Sequence, residues 1–131
     1  MTTTHKNIIS VTNDGDGPSR FSIRKIDLNG DDSWSLSEQQ SALNFRLRSS
    51  AAGYNSTWHV AGDPTLLIIT SGAIEIQIRS GETHLFEAGD MFIAEDFLIV
   101  NTEFSDIHGH RAKVVGQQTL QALHLKLKKR A

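Results

Sequence analysis

The chain has 131 residues, a formal net charge of −2 and an apolar fraction of 38%. This length suffices for one domain with an apolar core, and the charge gives no reason to expect nucleic acid or an anionic membrane as a partner. Because the sequence has no cysteine, disulfide bonds and thiolate chemistry are excluded. No apolar run is long enough for a membrane span, and the first residues lack the apolar core of a signal peptide, so we expect a cytoplasmic protein.

Alternation of apolar and polar residues begins near the amino terminus, where FSIRKIDL (residues 21–28) predicts a strand. The segment SLSEQQSALNF (residues 35–45), with a serine as a possible cap, predicts one short helix. Arg46 and Arg48 follow it, two residues apart, and therefore share one face of a strand. We interpret that face as the polar side of a sheet, in preference to a rim that binds an anionic substrate.

The middle of the chain predicts a series of strands joined by tight turns. TLLIIT (residues 65–70) is apolar throughout, which is typical of a strand covered on both faces. In AIEIQIRS (residues 73–80) the isoleucines occupy one face and the polar residues the other. Ser-Gly pairs end both segments, and THLFEAGDMFIAED (residues 83–96) continues the series around a Gly-Asp turn.

The last strand is predicted at residues 123–128, where leucines alternate with His124 and two lysines. His124 lies on the polar phase of this strand, and we expect it to face solvent. Many short strands with glycine turns between them predict an all-β sandwich or barrel.

The stretch from Gly53 to Gly72 resembles the first signature motif of the cupins, small jelly-roll barrels with a central metal. That motif reads G-x5-H-x-H-x3/4-E-x6-G, and both glycines and His59 align with it. Ala61 and Thr65 stand at the positions of its second histidine and its glutamate.

The second cupin motif, G-x5-P-x-G-x2-H-x3-N, aligns with Gly81 and Gly89. Phe92 and Asp96 stand at the positions of its histidine and its asparagine.

The resemblance covers about residues 45–127 and implies an all-β fold, a single-domain cupin (RmlC-like) jelly-roll β-barrel. We predict one domain over residues 1–131, with amino-terminal strands and the short helix in residues 1–44.

The metal site of the family is predicted to be absent. Of the four positions that supply metal ligands in cupins, this chain keeps one, whereas a buried divalent ion needs several converging donors. We therefore expect no cofactor. An alternative is a metal site rebuilt from His59, His108 and His110, with Glu95 or Asp96 as a further ligand.

The order of several short pieces, among them W-H, S-G, G-D before E-D, and G-H-R, is similar to that in a group of small, mostly uncharacterised cupins. This resemblance implies that the barrel carries the histidines and the acidic residues of these pieces, which are Trp58, His59, Glu95, Asp96 and His110 here. Residues 97–108 are longer and more apolar than in that group. They predict an extra strand, a lid over the barrel mouth or a strand at a dimer interface.

The candidate catalytic residues are His59, His110 and Asp96. Burial and a nearby carboxylate have opposite effects on a histidine, and together they leave it titrating near neutrality, where it serves as a general acid or base. The candidate substrate-binding residues offer flat walls or hydrogen bonds to a small polar or aromatic metabolite, and they are Trp58, Thr65, Gln77, Phe92 and Glu95.

These residues predict a metal-independent acid–base enzyme of the isomerase, epimerase, lyase or cyclase type, by analogy with sugar-nucleotide epimerases of the cupin superfamily. Two other functions stay open: a non-catalytic module that binds a sugar or a small acid, and a metal-dependent, dioxygenase-like enzyme with the rebuilt site. The expected partners are a small molecule in the barrel and a second copy in a homodimer, since exposed sheet edges invite pairing. Neither nucleic acid nor a membrane is expected.

Overall fold

The computed structural model describes residues 2–129, so Met1, Arg130 and Ala131 of the predicted domain lie outside the described residues. Every regular element in that range is a strand, and none of it forms a helix able to span a membrane. The strands are β1 (Thr2–Thr12), β2 (Arg20–Gly30), β3 (Ser35–Leu36), β4 (Ala42–Ser50), β5 (Thr65–Ser71), β6 (Ala73–Ile78), β7 (Thr83–Glu87), β8 (Met91–Ala94), β9 (His110–Val115) and β10 (Leu120–Leu127).

The strands form two sheets that close on one apolar core. The larger sheet has the order β3-β2-β1-β8-β5-β10-β4, and the smaller one has the order β7-β6-β9. Strands β1 and β8 run parallel, and all other neighbouring strands run antiparallel. Buried side chains of both sheets pack against one another, among them Leu67, Ile76 and Phe92. This architecture confirms the predicted all-β jelly-roll barrel.

Strand β6 shows how alternation builds this core. Ile74, Ile76 and Ile78 are buried, while Glu75 and Gln77 lie on the opposite face. The predicted half-buried strand is therefore confirmed. Strand β9 follows the same pattern, with every second residue buried from its first residue onward.

Strand β5 is apolar on both faces but is covered fully on one. Leu67 and Ile69 are buried in the core, whereas Leu66 and Ile68 lie on the other face and are partly exposed. The predicted strand is confirmed, but only one of its two faces is fully buried within one chain.

The short helix predicted in residues 35–45 is wrong. This stretch contains the two-residue strand β3, an irregular connection and the beginning of β4. Strand β4 pairs along its length with β10, from Ala42 opposite Leu127 to Ser50 opposite Leu120. The long ladder of backbone hydrogen bonds and cross-strand side-chain contacts outweighs a weak local helix preference.

Residues 97–108 form no regular strand and lie against the loop that follows β1. The amide nitrogen of Ile99 donates to the carbonyl of Gly15, and the Asn13 side chain donates to the carbonyl of Phe97. Both strand interpretations of this segment are therefore wrong. These hydrogen bonds tie it to the amino-terminal loop, and none of its residues lines the cavity described below.

Candidate functional site

A cavity of about 280 Å³ opens between the two sheets. This volume is near the lower end of ligand pockets, so the cavity suits a small metabolite. One part of its wall is apolar, and its residues are Leu67, Ile74, Ile76, Phe92, Ala94 and Ala112. The remaining lining is mainly polar or charged and comes largely from β4, β10 and the two segments that carry His59 and His110. Its residues are Asn44, Arg46, Arg48, His59, Val60, Ala61, Thr65, His110, His124 and Lys126.

His59 and His110 meet at one side of this cavity. Their backbones form a bridge in which each amide nitrogen donates to the other residue's carbonyl at 2.9 Å. The ring centroids are 4.6 Å apart. His110 is the first residue of β9 and is buried, whereas His59 belongs to an irregular segment beside β9 and is exposed at the cavity mouth.

Gly109 is the reason that these two backbones approach so closely. A Cβ atom at this position would lie 2.6 Å from the carbonyl oxygen of His59, which is closer than real Cβ atoms come to such an oxygen. Its φ of 88° is also one that glycine adopts readily and other residues rarely. The histidine pair therefore depends on a glycine at residue 109.

Asp96 lies behind His110 and is fully buried. The Nδ1 atom of His110 donates to its carboxylate at 2.7 Å, and the Ser19 hydroxyl donates to the same oxygen at 2.6 Å. The other carboxylate oxygen accepts the amide of Ala61 at 2.9 Å. Asp96 thus fixes the orientation of the His110 ring and leaves its Nε2 atom as the nitrogen that faces the cavity.

His59 is oriented by the backbone. Its Nδ1 atom donates to the carbonyl of Thr57 at 2.8 Å, so that Nε2 is the basic nitrogen. Burial lowers the pKa of His59, and the neighbouring charges of His110 and Arg48 lower it further. The Thr57 carbonyl and Asp96 act in the opposite direction, and the net effect favours a neutral imidazole.

The structure brings five of the eight predicted site residues to this cavity. His59, His110, Thr65 and Phe92 line it, and Asp96 lies behind its wall. Phe92 also stacks on the ring of Phe86, with centroids 4.2 Å apart, and is part of the apolar core. The Thr65 hydroxyl donates to the carbonyl of Asp63 at 3.1 Å.

The other three predicted residues lie elsewhere. The Trp58 ring is stacked between Arg79 and Arg111, whose guanidinium carbons lie 3.9 Å and 4.8 Å from its centroid. Gln77 is on the outward face of β6 and accepts a hydrogen bond from Arg111.

Glu95 follows β8 and points away from the cavity. It accepts the Ser10 hydroxyl at 2.5 Å and pairs with Arg24 at 3.6 Å. Alternation explains these positions, because each of Trp58, Gln77 and Glu95 is next in sequence to a residue that points inward.

His108 does not join the histidine pair, so the rebuilt metal site is not formed. Its Nε2 atom donates to the carbonyl of Asp16 at 2.9 Å, and its Nδ1 atom accepts the amide of Ser105 at 2.9 Å. Both ring nitrogens are engaged with the protein. Within residues 2–129, no group of three or more histidine or carboxylate side chains is arranged to hold a metal ion.

The residues at the metal positions of the cupin motifs do not fit a metal either. Ala61 and Phe92 line the cavity without any donor atom, and Thr65 offers a neutral hydroxyl. His59 alone supplies a nitrogen, and a divalent ion requires several converging donors.

Four charged or basic residues of the cavity were not among the predicted site residues, namely Arg46, Arg48, His124 and Lys126. The two arginines lie on a polar sheet face, as interpreted, but this face lines the cavity. The prediction that His124 faces solvent is wrong, because its side chain lines the cavity as well. In β10 the even-numbered residues point inward and the leucines at 123, 125 and 127 point outward. The sequence shows that apolar and polar residues alternate in this strand, but it does not show which of the two sets faces inward.

No protein-family model matches the sequence, and no curated protein matches it. Among solved structures, the chain is similar to a conserved protein of unknown function from Streptococcus pyogenes, with 22% identity and a TM-score of 0.51 over 71% of this chain and 70% of that one. It is also similar to a cupin-2 domain containing protein from Shewanella frigidimarina, with 15% identity and a TM-score of 0.47 over 64% of this chain and 69% of that one. The Cnp3 cupin domain of Schizosaccharomyces pombe matches with 14% identity and a TM-score of 0.45 over 93% of this chain and 87% of that one.

At these identities the likeness concerns the fold. Two sheets, no helix in the described range and a cavity between the sheets agree with the jelly roll that the two motifs predict. The described residues therefore have an all-β, two-sheet jelly-roll fold.

Proposed function

We propose that the protein binds a small metabolite in the barrel cavity and catalyses proton transfer on it without a bound metal. The observation that carries this proposal is the pair of His59 and His110 rings, whose centroids are 4.6 Å apart, with the Nδ1 atom of His110 held by the buried Asp96 at 2.7 Å. Acid–base catalysis requires a base and an acid within reach of one ligand, each with a defined tautomer.

The two rings are suited to different roles. His59 has a lowered pKa and accepts a proton on Nε2. The Nδ1 atom of His110 is held by the Asp96 carboxylate, which orients Nε2 toward the cavity, and we assign to His110 the role of proton donor. The neighbouring His110 contributes to the lowered pKa of His59, which favours His59 as the base.

The proposed reaction conserves atoms and electrons. In the proposed cycle His59 starts neutral and His110 starts with a proton on each ring nitrogen. A proton leaves one atom of the ligand for Nε2 of His59, and the Nε2 proton of His110 is delivered to another atom of the ligand. The product is an isomer or epimer of the substrate, and the two rings return to their starting states by exchange with solvent at the open mouth.

Asp96 is a positioning residue in this scheme. It touches the imidazole of His110, and no contact with the ligand is needed. Its substitution by Asn is expected to lower kcat for proton transfer with little change in KM, because a neutral amide holds the orientation and tautomer of the His110 ring less firmly than a carboxylate does. A residue that served the fold alone would not produce this split between kcat and KM.

The test is incorporation of deuterium from solvent. The protein is incubated in D₂O with a panel of small neutral and anionic metabolites, and the mass of each metabolite is followed by mass spectrometry. We expect at least one metabolite to gain deuterium with the wild-type protein. His110→Gln and His59→Gln should each slow that gain about 100-fold or more, which is the usual contribution of a general acid or base.

His5→Gln is the matched control, because His5 is exposed on β1 and lies outside the cavity. Its rate should equal that of the wild-type protein. Metabolites that bind without gaining deuterium would contradict the catalytic proposal and identify a binding module.

A further inference from the structure

The inner face of β4 and β10 carries a group of basic side chains that the proton-transfer scheme does not use. Arg46 and Arg48 come from β4, and His124 and Lys126 come from β10. Their positions alternate with outward apolar residues, so the four share the side of the sheet that faces the cavity. We call these four residues the basic wall.

The strand register places this wall next to the apolar part of the lining. His124 lies directly opposite Arg46 on one side and opposite Leu67 on the other. Leu67 in turn lies opposite Phe92. One row of side chains across the sheet therefore contains, in order, the cation of Arg46, the imidazole of His124, the aliphatic Leu67 and the aromatic Phe92.

No carboxylate of the described residues neutralises the two arginines. Neither Arg46 nor Arg48 belongs to an ion pair in residues 2–129. Arg48 donates its Nε to the Ser50 hydroxyl at 2.9 Å and lies 5.7 Å from the Tyr54 ring centroid, both neutral groups. The cavity lining contains no Asp or Glu side chain.

The other two members of the wall also lack a close anionic partner. Lys126 approaches Asp63 only at 4.0 Å, and Asp63 is nearer to Lys129, at 3.0 Å. The Nε2 atom of His124 is buried and has no hydrogen-bond partner within residues 2–129. A buried polar atom without a partner is rare and requires an explanation, and a bound water or anion would supply one.

Burial also makes these charges costly when the cavity holds no anion. It lowers the pKa of Arg48, and burial together with Arg48 and Arg46 lowers the pKa of His124. A negative charge placed among the basic side chains acts on both pKa values in the opposite direction.

We propose that the ligand is a small organic carboxylate, bound with its carboxylate against Arg46 and Arg48 and its apolar body against Leu67 and Phe92. This inference names the class of substrate that the site binds. It rests on the proposed function, which assigns the reaction of that substrate to the two histidines. A carboxylate suits two neighbouring arginines because guanidinium groups donate paired hydrogen bonds to its two oxygens. The apolar part of the lining and the small volume favour a short apolar body over a multiply charged phosphate ester.

The test is an NMR titration with benzoate, butyrate, benzamide and inorganic phosphate. Benzoate should bind the wild-type protein and shift backbone resonances of β4 and β10. Benzamide, its neutral counterpart, should bind about tenfold more weakly, since a hydrogen bond to a charged group is lost. Arg48→Gln should raise the Kd for benzoate by about tenfold and leave that for benzamide unchanged.

Two further variants keep the test decisive. Lys25→Gln removes an exposed cation of β2 outside the cavity and should leave the Kd for benzoate unchanged. Arg46→Gln changes an exposed side chain of the basic wall, so it should fold even if Arg48→Gln does not, and it should weaken benzoate binding in the same direction.

The inference is overturned if neither carboxylate shifts cavity resonances, if benzamide binds as tightly as benzoate, or if both arginine variants bind benzoate like the wild-type protein. Phosphate binding as tight as that of benzoate would also overturn it. Carboxylates that bind through Arg48, together with a metabolite panel in which no member gains deuterium, support this inference and contradict proton transfer. Deuterium gain by a neutral metabolite, at the same rate in Arg48→Gln, supports proton transfer and overturns this inference.

Discussion

Strands β6 and β4 have the same alternating pattern but opposite orientations. In β6 the isoleucines point into the barrel and Glu75 and Gln77 point out. In β4 the arginines point toward the cavity, while Phe45 and Leu47 are 66% and 79% exposed on the outer face. Strand β10 follows β4, with His124 inside and leucines outside.

This difference teaches that alternation defines two faces of a strand without saying which face is the inner one. In β6 the apolar face is buried by the opposite sheet, which is the usual arrangement. At the β4 end of the larger sheet, the space between the sheets is an open cavity and not a core. The polar face can therefore turn inward there, and the apolar face is left on the surface.

The largest expected effect concerns the inward face of β6. Ile78 is 4% exposed and lies in the core rather than in the cavity lining. Ile78→Ala should lower the free energy of unfolding by about 2–5 kcal/mol, because it removes buried methyl groups and leaves a void. Gln77→Ala, one residue away on the outer face, should change it by less than about 0.5 kcal/mol. Urea unfolding of both variants measures this contrast, and equal losses would contradict the assigned faces.

The second prediction concerns the outer apolar face at β4, which we expect to be the contact face of the predicted homodimer. Strand β4 is the edge of its sheet, and Phe45 and Leu47 lie opposite Leu125 and Leu123 of β10, so the face presents an apolar strip that a second copy matches with its own. Leu47→Glu should convert the dimer to a monomer, as measured by light scattering after gel filtration. Gln77→Glu places the same charge on the outer face of β6 and should leave the mass unchanged. A wild-type protein that is monomeric at all concentrations would contradict the homodimer.

The smallest expected effect is a dependence of stability on pH that originates in the inward basic face. The folded-state pKa values of His59 and His124 are lowered from the ordinary 6.5, so the unfolded chain binds more protons near that pH. Stability should therefore be greatest above about pH 7 and decrease as the pH falls from 7.5 to 5.5.

Thermal melting at these pH values measures the decrease, and His124→Gln should make it smaller. The groups that face His124 are Arg46 and Arg48 from β4 and the uncharged Leu67 from β5, with Lys126 on its own strand. Saturating benzoate should also reduce the decrease, because the bound anion favours the protonated ring. An identical decrease in His124→Gln would contradict the assignment to this residue.

The sequence is informative about the strands from β5 to β8 because local rules govern them. Their side chains alternate, and glycines at 72, 81 and 89 have positive φ values at the turns that separate β5 to β8. The two cupin motifs lie in this part of the chain, and the resemblance to them predicts the jelly-roll fold. For the same reason the histidine at 59 was placed at the cavity, since its position is tied to Gly53 and Gly72 by a fixed spacing.

Local rules of this kind could not predict the position of the basic wall. Arg46 faces His124 only because β4 pairs with β10, two strands that are far apart in sequence. The register of that pairing decides which phase points inward, and nothing within either segment specifies it. The same pairing overrode the helix preference of residues 35–45.

The two histidines of the His-Gly-His segment were separated by a backbone feature. An extended strand would place His108 and His110 on the same side. The glycine between them has a φ of 88°, so the chain turns before β9 begins. His108 is therefore directed to the amino-terminal loop and His110 to the cavity.

The close approach at residue 109 has a consequence for how ligands are selected. Because the main chains of His59 and His110 are joined by two reciprocal hydrogen bonds, the backbones that carry the two imidazoles are held at a fixed separation. In the proposed binding mode, adjustment to ligands of different length would therefore fall to the long, rotatable side chains of Arg46 and Arg48.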